Sequence, residues 1–303
     1  MWTEPIRLWL AALPCCLSLA LPLQGAETAA PEDLVAARRC ATYAPASMAE
    51  LRRAEAAFRD LLQRREEAPA TPDSAWKELG FETLRVTDNG VTWQVLREAR
   101  GHCRGQGLYL IREGAAPELM LQVPHGYHDL HTDEIALRLA RTPVRVLAFN
   151  SVPRRYSRRG EARDADLAQR EDSFFVALTR AFAATFPTGR IVQLHGFSRE
   201  KRTTPAGAGA AVIVSAGTRW PSPGTEAVAA CLQAQVDAPV RLYPRDVREL
   251  GGTGNLQGRI LRGLAHSGFV HVELSRAMRE RLQREDTLSA RFARCLSSGM
   301  DTP

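Results

Sequence analysis

Between residues 119 and 292, short apolar runs alternate with helical patterns, and three of the runs end in a titratable side chain. His125 follows the run 119–123, His195 closes the run 190–194, and Glu273 closes 269–272. Strand-length runs alternating with helix-length periods are the pattern of an α/β sheet. In open sheets of that class, ligands bind beyond the carboxyl ends of the strands. Residues far apart in the chain can therefore meet there.

Taken in order, Ser47 and Glu50 form a capping box. Leu51, Ala54, Phe58, Leu61 and Leu62 recur behind it at helical spacing, so a packing helix is expected to about residue 67. Residues 66–74, rich in Pro and Ala, read as a linker. Runs 83–87 and 91–96 flank Asp88-Asn89-Gly90, a hairpin turn. Runs 108–112 and 119–123 follow, then a helix over 133–141, a strand over 144–150 and a basic loop over 151–163. A helix over 173–186 and strands at 190–196 and 211–215 come next. A helix at 225–235, a strand at 240–244, a glycine-rich loop at 250–258, a strand at 269–274 and a helix to about 292 complete the chain. The expected fold is α/β. It has a mixed, largely parallel sheet flanked by helices, with antiparallel strands on one side. An N-terminal helical extension (27–74) precedes the main domain (75–303).

The formal net charge is +6, with a pI of about 9.3. No Lys/Arg run is interleaved with aromatics and no finger or RNA-binding motif is present, so nucleic acid is not the expected partner. Residues 1–26 read as a secretory signal: Arg7, an apolar stretch over 8–23, then Gly25-Ala26. The expectation is a bacterial periplasmic or secreted protein, with no membrane attachment after cleavage. Four cysteines remain beyond the signal, which permits two disulfides in three pairings. No pair has CxxC spacing. Cys40–Cys103 and Cys231–Cys295 are preferred, because each pair lies within one half of the sequence.

The chemistry concentrates in residues 123–134, which hold His125, His128, His131, Asp129, Asp133 and Glu134. Imidazoles and carboxylates on a turn between strand and helix suit a divalent metal. A mononuclear catalytic zinc takes three protein ligands and leaves one position open, with a carboxylate nearby to take a proton from water. His125, Asp129 and His195 supply that ligand set, and Glu273 the base. His131 and Glu134 are the competing pair. Ser215 and Ser275 lack a Gly-x-Ser-x-Gly setting, which argues against a serine hydrolase.

This order of residues resembles the zinc carboxypeptidase fold, the group that includes the metallocarboxypeptidases and N-formylglutamate amidohydrolase. The family's first motif is His-x-x-Glu, with Thr three residues later. Here His125 is followed by Asp129 and then Thr132, so the gap is one residue longer and the side chain one methylene shorter. Gln193-Leu194-His195-Gly196-Phe197 is similar to the strand carrying the third ligand. Val272-Glu273-Leu274-Ser275 is similar to the motif carrying the catalytic glutamate. The resemblance spans roughly residues 105–292. It implies one Zn2+ and hydrolysis of amide bonds in peptides or N-acyl amino acids.

The carboxypeptidases hold a substrate carboxylate with an arginine. In the corresponding stretch, Asp166 to Glu171, the Asn is lost and Arg170 is displaced by one. Arg170 is the candidate clamp, Arg154 and Arg155 the alternative anion site, and Asn255 a candidate substrate contact. A small-molecule or peptide substrate, anionic in character, is expected. The other reading is an exported binding protein that kept the fold but lost catalysis. Glu273 discriminates between them: paired with Arg276 or Arg279 away from the histidines, it would favour binding.

Overall fold

The computed structural model describes residues 1, 29–64, 74–158 and 160–300. All of the expected signal segment but Met1 lies outside the described residues, and so does nearly all of the expected linker. Helices α1 (Pro31–Ala37), α2 (Met48–Gln63) and α3 (Ser74–Glu78) come first, then strands β1 (Phe81–Asp88), β2 (Val91–Glu98), β3 (Leu108–Arg112) and β4 (Leu119–Val123). Helix α4 (Thr132–Leu139), strand β5 (Val146–Phe149), the ribbon β6 (Arg155–Arg158) and β7 (Glu161–Asp164), helix α5 (Phe174–Thr185) and strand β8 (Arg190–Phe197) follow. The remainder is α6 (Pro205–Gly209), β9 (Val212–Ser215), α7 (Pro223–Gln235), β10 (Val240–Leu242), α8 (Leu256–Gly263), β11 (Phe269–Ser275), α9 (Arg276–Arg284) and α10 (Asp286–Leu296).

Nine strands form one sheet in the order β1-β2-β3-β5-β4-β8-β11-β9-β10. The central strands β5, β4, β8 and β11 are mutually parallel, as βαβ crossovers require. The β1–β2 hairpin closes at Asn89 and Gly90, both at positive φ, as a tight turn of this kind demands. β11 also pairs antiparallel with β9, so antiparallel pairing is not confined to one side.

Alternation along the parallel strands sends side chains to two opposite faces. Leu121, Val123, Val192, Leu194, Val270 and Val272 join one core beneath α4, α7, α9 and α10. Met120, Ile191 and Phe269 face the other core, with α2 and α5. Helix α2 is capped by Ser47 and Glu50 as the sequence indicates. It packs on α5, with Phe58 edge-on to Trp76 (4.6 Å) and Tyr109 (5.0 Å).

Three local expectations need correction. The basic loop at 151–163 contains the ribbon β6–β7. The glycine-rich loop gives way at Leu256 to α8, because the Asn255 side chain accepts from Gly258 N and caps it. The last helix is two helices, broken at Glu285, whose backbone is extended. Both preferred disulfides are present, with Cα–Cα distances of 5.5 Å (Cys40–Cys103) and 5.4 Å (Cys231–Cys295).

Candidate metal centre and its cleft

Beyond β4 the chain makes a single turn in which Asp129 N and His128 N both donate to His125 O (2.9 and 2.8 Å). Residues four apart on such a turn face the same way. The longer gap from His125 to Asp129 therefore still brings the two side chains together. Thr132 fixes the exit, with its hydroxyl on Asp129 O at 2.7 Å, and α4 starts there. Gly126 is required beside His125: a Cβ there would lie 2.8 Å from the Arg38 guanidinium.

From the other side, the parallel register pairs Glu273 with His195 and His271 with Gln193. All four belong to the face of Ile191 and Phe269, so they emerge together at the carboxyl edge. His195 Nδ1 stands 3.1 Å from His125 Nδ1 and 3.4 Å from Asp129 Oδ2; His125 Nδ1 is 3.5 Å from that same oxygen. These three atoms form a nearly equilateral triangle. Ligands at 2.0–2.1 Å around a tetrahedral zinc are about 3.3 Å apart, so the triangle fits the edge length a zinc ion needs.

The far nitrogens are anchored, which is how ligating histidines are held. His125 Nε2 bonds Asp166 Oδ1 at 2.7 Å, and His195 Nε2 meets Gln193 Oε1 at 3.2 Å. Gln193 sits in a buried chain of amides. It donates to Gln122 and Gln257 and accepts from Asn255 Nδ2 at 2.6 Å. With both oxygens and the Nε2 atoms committed, the two Nδ1 atoms face each other and Asp129.

Electrostatics follow from burial and partners. Burial pushes His125 down, but hydrogen bonds to Asp129 and Asp166 outweigh it and raise the imidazole to about 9. Burial pushes Asp129 up, yet the two histidines hold its carboxyl well below the usual carboxylate range. His195 is lowered, chiefly by burial. Glu273 is pushed up to about 8, by burial first and then by the Asp129 charge. Its Oε2 is buried without a partner, and Oε1 is 3.8 Å from His271 Nε2. His271 stacks on His195 at 4.5 Å, and burial holds it well below the ordinary histidine value. His195, His271 and Glu273 also offer ligand atoms within 4.8 Å of one another.

The site opens on a cleft of about 890 Å3 lined by Asp129 and Glu273, with Arg154, Arg199, Lys201, Arg202, Arg276 and Arg279 around them. Arg276 pairs with Glu280, and Arg279 donates to Leu130 O, so neither makes a close pair with Glu273.

The other sequence candidates lie elsewhere. His131 and Glu134 are on the surface, both bonded to Gln283. Arg170 is held by Asp172 and stacks on Tyr43 at 4.6 Å, so it does not line the cleft. Asn255 is taken up by capping and by Gln193. Arg154 lines the cleft, whereas Arg155 lines the adjoining one. Sequence reasoning missed the roles of Asp166, Gln193 and Arg279. The basic run Arg199–Lys201 with Arg202, immediately after the His195 strand, was a visible signal for the cleft.

No family model matches the sequence, and no curated protein matches it. The fold is similar to that of N-formylglutamate amidohydrolase from Ralstonia eutropha JMP134. Identity is 17%, the match covers 63% of this chain and 97% of that one, and the TM-score is 0.45. It is also similar to a bacteriophage poly-gamma-glutamate hydrolase (14% identity, 59% and 81% covered, TM-score 0.34). A third likeness is to YNDL in its zinc-free form (16% identity, 62% and 87% covered, TM-score 0.36).

Proposed function

We propose that the protein is an exported, zinc-dependent hydrolase of amide bonds. The observation that carries this reading is the triangle of His125 Nδ1, His195 Nδ1 and Asp129 Oδ2, with edges of 3.1–3.5 Å, beside a buried and unpartnered Glu273 oxygen. His125, Asp129 and His195 would hold the ion. Zinc bound there supplies acidity to a water molecule and polarises the scissile carbonyl.

The protein's own groups do the rest. Glu273 accepts the proton of the attacking water and returns it to the leaving amine. A carboxyl raised to about 8 is suited to exchange protons near neutral pH. Asp166 and Gln193 keep the imidazoles turned so that their Nδ1 atoms face the ion. The cations lining the cleft draw an anionic substrate, a peptide or an N-acyl amino acid, toward the site. Glu273 makes no close pair with Arg276 or Arg279, the pairing that would favour a binding protein.

Export is supported by the two disulfides, which persist in oxidising compartments. Among the described residues, no helix is long and apolar enough to cross a membrane.

The test is metal content and hydrolysis of N-acyl amino acids and peptides by the wild type, H195A and E273Q. The expected result is one zinc per wild-type chain and loss of metal in H195A. E273Q should keep its zinc but lose about 10²- to 10⁴-fold in kcat. A wild type that binds no zinc, or an E273Q protein as active as the wild type, overturns the proposal.

A further inference from the structure

The turn that carries His125 and Asp129 is gripped by a residue of the N-terminal extension. Arg38 follows α1, and its side chain is 3% exposed. Its guanidinium bridges the two ends of the turn. At the exit, Nη2 pairs at 3.0 Å with Asp133 Oδ2, in the first turn of α4. At the entry, Nε donates to Asn150 O at 2.7 Å, and the Asn150 side chain accepts from Gly126 N at 3.0 Å. Asn150 is fully buried; its N–H donates to Val123 O at the end of β4 and its side chain to Val152 O. The guanidinium also lies over the Tyr127 ring at 4.7 Å, and Nη1 donates to Val35 O in α1. His125 and Asp129 lie between the two points held.

Arg38 is itself anchored. Two residues on, Cys40 is cross-linked to Cys103, and its N–H donates to Ser151 O at 2.6 Å. The Ser151 hydroxyl donates to one oxygen of Glu98, and the other accepts from Arg104 N and Gln106 N. The extension is thus fixed to the β2–β3 connection on one side and to the ligand turn on the other. Within the turn, only local bonds such as Asp129 N to His125 O and Thr132 N to Asp129 O set the shape. A lone turn does not order itself in water, because its bonds do not offset the entropy of fixing the backbone. The planar guanidinium donates in several directions at once, which a lysine ammonium on a flexible stem does not reproduce.

We propose that Arg38 is a positioning residue for the metal centre. It holds residues 125–132 in the shape that aims His125 and Asp129 at one ion. A segment outside the stretch that resembles the hydrolase group therefore sets the metal affinity. This rests on the metal-binding part of the hydrolase reading above.

The test uses the full chain and two readouts that need no turnover. The first is the zinc dissociation constant, by competition with a chromophoric chelator. R38M should weaken zinc about 10- to 100-fold, as loss of a residue supporting the ligands does. R38K should recover no more than about threefold of that, because its single ammonium does not span Asn150 and Asp133. D133A leaves Arg38 on Asn150 and should weaken zinc by about 3- to 10-fold. The control is R190M. Arg190 is as buried, and it binds Leu296 O and Ser298 O from the end of β8 far from His195. R190M should lower the urea midpoint and leave the zinc constant unchanged. The second readout is amide hydrogen exchange in chelator-treated protein. The Asp129 and Thr132 amides should exchange at least about tenfold faster in R38M and D133A, with the β4 amides unchanged. Zinc affinity within about twofold of wild type in R38M and D133A, an equal loss in R190M, or unchanged exchange at Asp129 and Thr132 would overturn the proposal. Should R38M fail to fold, D133A carries both readouts. A wild type that binds no zinc would count against the hydrolase reading, and the exchange rates would still decide whether Arg38 holds the turn.

Discussion

His125, held at about 9 by Asp129 and Asp166 against the effect of burial, keeps a proton at neutral pH that a divalent metal must displace. Zinc uptake at pH 7 should therefore release at least one proton per ion, read by calorimetry in buffers of different ionisation enthalpy. Release near zero would contradict the arrangement. The same residues set how the metal-free protein responds to pH. The native value for His125 is raised from 6.5 to about 9, so its contribution is complete below pH 6.5 and lost as pH climbs through 9. Glu273, raised from 4.5 to about 8, also favours its protonated form, and that contribution fades between those values. Asp129 is held low, so its contribution is present above pH 3.8 and lost in acid. Burial lowers His195 and His271, which adds stability as pH rises to about 6.5, so chelator-treated protein should lose stability from about pH 6.5 to 9, by roughly 1.4 kcal/mol per pH unit for each group in mid-titration. Thermal melts across that range check the sign; a Tm that rises toward pH 9 would be the wrong one.

Between elements, Gly196 is the contact point of β8 with α9. A Cβ at that position would collide with the Arg279 guanidinium. G196A should displace Arg279 while leaving His125, Asp129 and His195 in place. A raised KM for anionic substrates, with zinc content unchanged, is expected; loss of zinc would show that the strand end itself had moved. Cys231–Cys295 joins α7 to α10 across a separation of 64 residues. In the chain-entropy account, a loop of that length contributes up to about 4 kcal/mol. C231S/C295S should lower the urea midpoint accordingly, while the site at the far strand ends keeps its metal affinity. Asp129 was legible in the sequence as a candidate ligand, and what brings it beside His125 is a feature of this scale. The turn after β4 makes an i,i+4 spacing equivalent in direction to the shorter family spacing. His131 and Glu134 match the family spacing itself, but the turn carries them out to Gln283.

For the molecule as a whole, the net charge of +6 is distributed so that six Lys/Arg residues line the candidate cleft. Steering of an anionic substrate should make kcat/KM fall as salt rises from 0.05 to 0.5 M, over which the Debye length shrinks from about 14 to 4 Å. A neutral N-acyl amide should show little dependence, and equal salt sensitivity for both substrates would remove steering from the account. The N-terminal extension is built onto the same sheet: α2 packs on α5 over the face of Ile191 and Phe269, and Arg39 lines the cleft next to the candidate one.

Strand-and-helix alternation, the hairpin at Asn89-Gly90, the capping box at Ser47 and the titratable residues at strand ends were all readable, because each depends on neighbours within a few residues of the chain. The residues that resemble the amidohydrolase group, Gln193 to Phe197 and Val272 to Ser275, are local in the same sense. Partner choice was not readable. Arg170 and Asn255 carry the right chemistry for substrate contact, yet Asp172 and Tyr43 take one, and Gln193 with the N-terminus of α8 takes the other. Whether a polar group is free or satisfied depends on what folding brings within about 3 Å of it. The sequence alone therefore determined which residues could do the chemistry. Only the tertiary structure decided which of them were left unpaired to do it.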